Sequence, residues 1–194
     1  MHNPLYGLIL AGGKSTRMGR DKGALIYHNG KDQVSYLHQI FRPFVDQVFV
    51  SIRSTQLSEA HLQDYDLIKD ARHIASPLNG ILSAMDRFPT ASWLVVAVDM
   101  PYINETAVQA LLNVRDPEVS ATCFTSPVKG GADPLFAIWE AHAKAKIEAL
   151  AAKKSITCPR KMLTLLETHL VHDGINANVL RNINTPQEYL ETLS

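Results

Sequence analysis

The chain has 194 residues, with 19 Lys plus Arg balancing 19 Asp plus Glu. Zero formal charge excludes a protein that holds nucleic acid or an anionic membrane by bulk electrostatics. Hydrophobic residues make up 46% and charged residues 20%, which excludes general disorder and predicts one folded domain over residues 1–194.

Apolar, β-branched runs alternate with segments whose apolar residues recur at helical spacing, the pattern of strands joined by crossover helices. The expected class is α/β with a mostly parallel sheet. Strands are predicted at Leu5 to Ala11, Gln47 to Ile52, Asp66 to Lys69, Trp93 to Val98 and Val119 to Phe124. Helices are predicted near Val34 to Val45, Leu78 to Phe88 and Glu105 to Val114. The fourth strand, Trp-Leu-Val-Val-Ala-Val, is apolar on both faces and belongs mid-sheet. Ser126 to Pro134 reads as a turn-rich loop and Glu140 to Lys153 as an Ala-rich helix. A helix near Pro159 to Glu167 and a short strand at His169 to His172 follow, and Thr185 reads as an N-cap ahead of Pro186.

The first strand runs into Leu10-Ala11-Gly12-Gly13-Lys14-Ser15-Thr16-Arg17-Met18-Gly19-Arg20-Asp21-Lys22. Adjacent glycines at the carboxyl end of a strand remove the Cβ atoms that keep a ligand off the backbone, so amide N–H groups can converge on phosphate. Four cations, Lys14, Arg17, Arg20 and Lys22, stand here against Asp21 alone, and an anionic ligand is expected. Gly13-Lys14-Ser15 imitates the tail of a Walker phosphate loop, but Leu8 occupies the position where that loop requires glycine.

The fourth strand ends in Asp99-Met100-Pro101, which sets a carboxylate where the backbone leaves the sheet. Ligands of open α/β sheets bind outside the carboxyl ends of strands, so Asp99 shares the crevice of the glycine turn. A phosphate-rich ligand brings Mg²⁺, which takes few protein carboxylates, and Asp99 is the expected metal ligand. Asn104 is available to cap the next helix and leaves Asp99 free for that role. Asp70 closes the third strand, either as a ligand contact or as a turn-forming residue. Ser76-Pro77-Leu78-Asn79-Gly80 opens a helix whose first N–H groups lack partners.

Other reactive residue types read as structural. His169 and His172 lack metal spacing, and Ser15 has no neighbouring base. Cys123 and Cys158 supply neither a disulfide framework nor a zinc knuckle, as in a reducing compartment. The opening Met-His-Asn-Pro-Leu-Tyr-Gly lacks the features of a signal peptide, and the longest apolar run is too short for a bilayer. A soluble, cytoplasmic protein is expected.

Leu10-Ala11-Gly12-Gly13, then Ser15, Arg17-Met18-Gly19, Asp21-Lys22 and Leu25, resembles the signature of the molybdenum cofactor guanylyltransferases, the MobA-like group of nucleotidyltransferases. Pro77-Leu78 with Gly80, Asp99-Met100-Pro101, Asp133-Pro134-Leu135 and Asn182-Ile183-Asn184-Thr185-Pro186 follow in the family's order. The resemblance implies a three-layer α/β/α Rossmann-like nucleotidyltransferase domain. It also implies transfer of GMP from GTP to the terminal phosphate of molybdopterin, releasing pyrophosphate and giving molybdopterin guanine dinucleotide. By the same resemblance Leu10, Ala11, Gly12, Gly13, Lys22 and Asp70 bind the nucleotide, with Pro77, Leu78 and Gly80 at its base. Asp99 holds Mg²⁺, and Asn182 and Asn184 face the pterin. Where the family has Gly-Pro-Leu-Ala-Gly this chain has Ser76-Pro77-Leu78-Asn79-Gly80, which changes the surface offered to the base.

A phosphate monoester is already an anionic nucleophile, so alignment and charge neutralisation suffice for catalysis, with Arg17, Lys22 and Asp99 as the acting residues. The expected partners are GTP, molybdopterin or its molybdenum-loaded form, and proteins that deliver and receive the cofactor; neither nucleic acid nor membrane is expected. Three alternatives remain. One is a sister enzyme using CTP or a sugar-phosphate acceptor, and another is a binding module that makes no product. The third is a Walker-type ATPase, which would release phosphate rather than pyrophosphate.

Overall fold

The computed structural model describes residues 3–13, 21–28, 30–126 and 130–192. In chain order the elements are β1 (Leu5–Leu10), β2 (Ile26–His28), β3 (Lys31–Asp32), α1 (Gln33–Phe41), β4 (Gln47–Ile52), β5 (Asp66–Lys69), α2 (Leu78–Arg87) and β6 (Ser92–Ala97). They continue as α3 (Glu105–Asn113), β7 (Ala121–Thr125), β8 (Ala132–Trp139), α4 (Lys144–Lys154), α5 (Pro159–Leu163), β9 (Thr168–Val171) and α6 (Pro186–Glu191). Seven strands form one sheet in the order β5-β4-β1-β6-β8-β7-β9, and β2 pairs with β3 in a separate hairpin. Pairing in the large sheet is parallel except on the two sides of β8. The expected α/β class with a mostly parallel sheet is therefore the observed one, and the apolar fourth predicted strand, β6, is the middle strand of seven.

Alternation along the strands builds a core on each face. Ile9 of β1 and Leu94 and Val96 of β6 pack with α1 and α3, whereas Leu8, Leu10, Trp93 and Val95 pack with α2, α4 and α5. This is the three-layer arrangement, with helices covering both faces of the sheet. Register then positions the site: Leu10 lies level with Ser51 on one side and Ala97 on the other. β1, β4 and β6 thus end together, and Gly12, Arg53 and Asp99 leave the sheet at one edge. Lys69 is level with Ile52, so Asp70 joins them.

β8 was not expected, because Asp133 and Pro134 look like breakers and the segment to Pro134 reads as loop. Pro134 escapes the usual penalty: regular pairing of β8 with β6 begins at Phe136, and its pairing with β7 is irregular between Ala132 and Ala137. The Ala-rich helix begins later than predicted. Glu140 is buried and holds Arg115 through a two-pronged ion pair at 2.7 and 2.8 Å, and α4 starts at Lys144. The short hairpin of β2 and β3 was not predicted, although Asn29-Gly30 between its strands is a hairpin-turn dipeptide and Gly30 takes a left-handed φ of 76°. At the other end Thr185 caps α6, with Pro186 in its first turn and Glu188 completing the capping box, as expected.

Candidate active site

A cavity of about 840 Å³ opens at the shared strand edge, within the range that admits a nucleotide. Its floor is the turn after β1. A Cβ on Gly12 would stand 2.7 Å from Asp70 Oδ2, so only glycine lets that carboxylate close against the backbone, whereas Gly13 faces open space. The buried Gln56 amide spans this turn, donating to the Ala11 carbonyl (3.1 Å) and to Asp21 Oδ2 (2.9 Å). One side chain thus pins the chain on both sides of residues 14–20. The other carboxylate oxygen of Asp21 accepts from Gly23 N–H and starts the short helical turn bearing Lys22.

Lys22 and Asp99 meet over the floor. Lys22 Nζ donates to Asp99 Oδ2 (3.1 Å), to the Ile183 carbonyl (2.9 Å) and to Asn184 Oδ1 (2.8 Å), so its three protons are all engaged. Asn182 Nδ2 donates to Asp99 Oδ1 (2.8 Å), and Ile183 N–H donates to the Asp99 carbonyl (2.8 Å). Asp99 takes no part in capping α3, a task Asn104 performs through the Ala107 N–H. The turn carrying Asp99 is gripped from below. His28 Nε2 donates to the Pro101 carbonyl (2.7 Å), and Tyr36 Oη donates to that of Ile103 (3.1 Å).

The far end of the cavity is built by β4, β5 and the start of α2. Asp70 accepts the Ser51 hydroxyl at 2.6 Å, and the Arg72 N–H that an Asx turn at Asp70 would use goes instead to Asn79 Oδ1. Burial pushes its carboxyl above the usual carboxylate range, with the Ser51 hydrogen bond and the charge of Arg53 opposing the shift. An acid raised in the folded state costs stability above its folded pKa. That cost disappears as pH falls below the unfolded carboxylate value. Asp70→Asn, which keeps an oxygen for Ser51, is therefore expected to raise the melting temperature at pH 7, with the gain vanishing below about pH 3.8. A thermal melt series across pH would show the opposite slope if Asp70 were stabilised as the anion.

The departure at Ser76 and Asn79 has a structural role. Asn79 folds back on the preceding loop, accepting from Arg72 N–H (3.0 Å) and donating to the Arg72 and Ile74 carbonyls. Ser76 Oγ donates to the Thr157 carbonyl at 2.5 Å. Both residues also line the cavity.

Residues 7–171 match the MobA-like NTP transferase domain. The chain belongs to that family. It is 33% identical over 186 residues to a molybdenum cofactor biosynthesis bifunctional protein of Synechocystis, a match covering 96% of this chain and about half (53%) of that longer protein. It is also 33% identical to a molybdenum cofactor guanylyltransferase of Pseudomonas aeruginosa over 95% of this chain and 92% of that one. The fold is shared with molybdopterin-guanine dinucleotide biosynthesis protein A of Archaeoglobus fulgidus at a TM-score of 0.76, with 20% identity and 96% of both chains covered. The Walker loop is excluded because Leu8 lies inside buried β1, paired with β4 on one side and β6 on the other.

In this MobA-like transferase, Leu10, Ala11, Gly12, Gly13, Lys22, Asp70, Pro77, Gly80, Asp99 and Asn184 all line this cavity. Leu78 does not: its side chain is fully buried in the core beneath α2. Asn182 meets the site through Asp99. Arg17 lies outside the described residues. Sequence reasoning missed Ser51, Arg53 and Gln56, whose signal was faint: three polar residues clustered where an apolar strand ends.

The donor set suits a divalent cation of the hard class. Asp99 and Asn184 offer oxygen, and no group of three His, Cys, Asp or Glu that could cage a metal exists among the described residues. An ion held by one carboxylate and completed by phosphate oxygens and water fits such a site. No helix among the described residues is long and apolar enough to cross a membrane.

Proposed function

We propose that this nucleotidyltransferase, a single domain over residues 1–194, transfers GMP from GTP to the terminal phosphate of molybdopterin. A phosphate oxygen of the acceptor bonds to the α-phosphorus, the α–β phosphoanhydride bond breaks, and pyrophosphate leaves with its electrons. The product is molybdopterin guanine dinucleotide. The observation that carries this reading is the Lys22–Asp99 pair set across the glycine turn at a common strand edge.

Each residue then has a task. Backbone N–H groups of Gly12 and Gly13 bind phosphate oxygens, Lys22 offsets the charge that builds between attacking and leaving phosphates, and Asp99 holds Mg²⁺. Bound Mg²⁺ supplies further charge neutralisation at the phosphates. Arg17 adds a second cation. Leu10, Ala11, Pro77, Gly80 and Asp70 form the nucleotide end, and Asn182 and Asn184 orient the pterin. The two thiols, Cys123 and Cys158, are free, in keeping with work in the cytoplasm beside proteins that deliver and receive the cofactor.

The test is incubation of the protein with molybdopterin, Mg²⁺ and GTP, CTP or ATP in turn, reading pyrophosphate and the mass of the product. GTP is expected to give pyrophosphate and the guanine dinucleotide. Preference for CTP, release of orthophosphate, or binding without product would each overturn the reading.

A further inference from the structure

Arg53 is the one cavity-lining arginine among the described residues. Its side chain is half-buried, and its Nε is enclosed without a hydrogen-bond partner among the described residues. An enclosed guanidinium nitrogen left unpaired is costly, and such groups are normally satisfied by protein, water or ligand. The backbone beneath it is fixed: Arg53 N–H donates to Gln56 Oε1 (3.0 Å), and Gln56 N–H donates to the Arg53 carbonyl (2.9 Å). Because the same Gln56 holds Ala11 and Asp21, Arg53 is mounted rigidly on the glycine turn.

Its neighbour is Asp70, on the adjacent strand end. Strands lie about 4.8 Å apart, so the two groups are presented side by side, one a donor fork and the other an acceptor. This end of the cavity carries one positive and one negative side chain, unlike the floor with its open amides. A phosphate group would be repelled by Asp70, whereas an uncharged base with both donors and acceptors would not. Guanine has acceptors O6 and N7 on one edge, the pair that arginine reads best, and N–H donors on another. Pyrimidines have no N7.

We infer that Arg53 is a specificity-determining residue that donates to O6 and N7 of the guanine of the donor nucleotide, beside Asp70. This inference rests on the guanylyl reading above. With its fork on the base, Arg53 contributes to nucleotide discrimination rather than to the chemical step.

The experiment compares GTP with 7-deaza-GTP, which lacks N7 and is otherwise the same, in the wild-type protein and in Arg53→Met. Wild type is expected to lose about tenfold or more in kcat/KM with 7-deaza-GTP, the scale of a lost specific base contact. Arg53→Met is expected to treat the two nucleotides alike, within twofold. Equal use of both by wild type overturns the inference while leaving the guanylyl reading intact, as does full N7 discrimination in Arg53→Met. A uniform loss across GTP, 7-deaza-GTP and ITP with the wild-type ratio retained also overturns it, since that marks a phosphate contact. Should Arg53→Met fail to fold, Arg53→Ser, which leaves no apolar chain at the rim, is read in the same way. Preference for CTP in wild type is the separate result that removes the guanylyl reading itself.

Discussion

Lys22→Met is expected to lower turnover about a thousandfold while the protein still folds. The Lys22 side chain is only 13% exposed, and its ammonium lies 3.1 Å from the Asp99 carboxylate. A charge pair about 4 Å apart at an effective dielectric near 20 is worth roughly 4 kcal/mol, and each 1.4 kcal/mol in a barrier is a factor of about ten. Methionine matches the length of the stem but can neither meet a phosphate nor satisfy its three present acceptors. Asp99 stays hydrogen-bonded to Asn182 in the variant, so the expected stability loss is about 1 kcal/mol, or roughly 2–4 °C in melting temperature. Single-turnover rates together with a thermal melt separate the two effects. Turnover within tenfold of wild type would remove Lys22 from the chemistry.

The second large effect is structural. Gly80 lies in the first turn of α2, and a Cβ there would overlap the Ser51 hydroxyl and stand 2.8 Å from Leu10 Cδ2. Ser51 is itself buried and committed to Asp70 at 2.6 Å. Gly80→Val must therefore lift α2 off the sheet or expel Ser51 from its bond. Overpacking of this kind costs about 1–3 kcal/mol, and a lost hydrogen bond to a charged group about as much again. A melting temperature lower by about 5–15 °C is expected, with a raised KM for the nucleotide because Asp70 loses its support. A melt within 2 °C of wild type would show that the helix approach is looser than the structure describes.

The sheet was legible wherever periodicity and burial agree. β1, β4 and β6 announce themselves because each is apolar between breakers, whereas β5 shows only the Leu67-Ile68 pair, and the glycine turn and Asp99 follow at the strand ends by simple counting. β8 was illegible because its breakers, Asp133 and Pro134, occupy irregular positions that only the pairing of neighbouring strands reveals. Of the site, Gly12, Lys22 and Asp99 could be read from residue type and position. Ser51, Arg53 and Gln56 could not: their roles depend on which strand end lies beside which, and sequence separation conceals it. Gln56 lies 45 residues from the carbonyl it holds. Leu78 shows the reverse error, since a motif position need not present its side chain to the cavity.

The contacts made by Ile183 and Asn184 have a consequence for where this protein can be cut. The stretch matching the family ends at residue 171, which is also the last residue of the sheet's final strand. A fragment trimmed there would retain every strand and most of the core, and would look complete by circular dichroism. It would nonetheless lack two of the three acceptors that hold the Lys22 ammonium and the amide that steadies Asp99. The boundary suggested by the architecture and the boundary required by the chemistry are therefore different, and minimal versions of this protein have to extend through the asparagines.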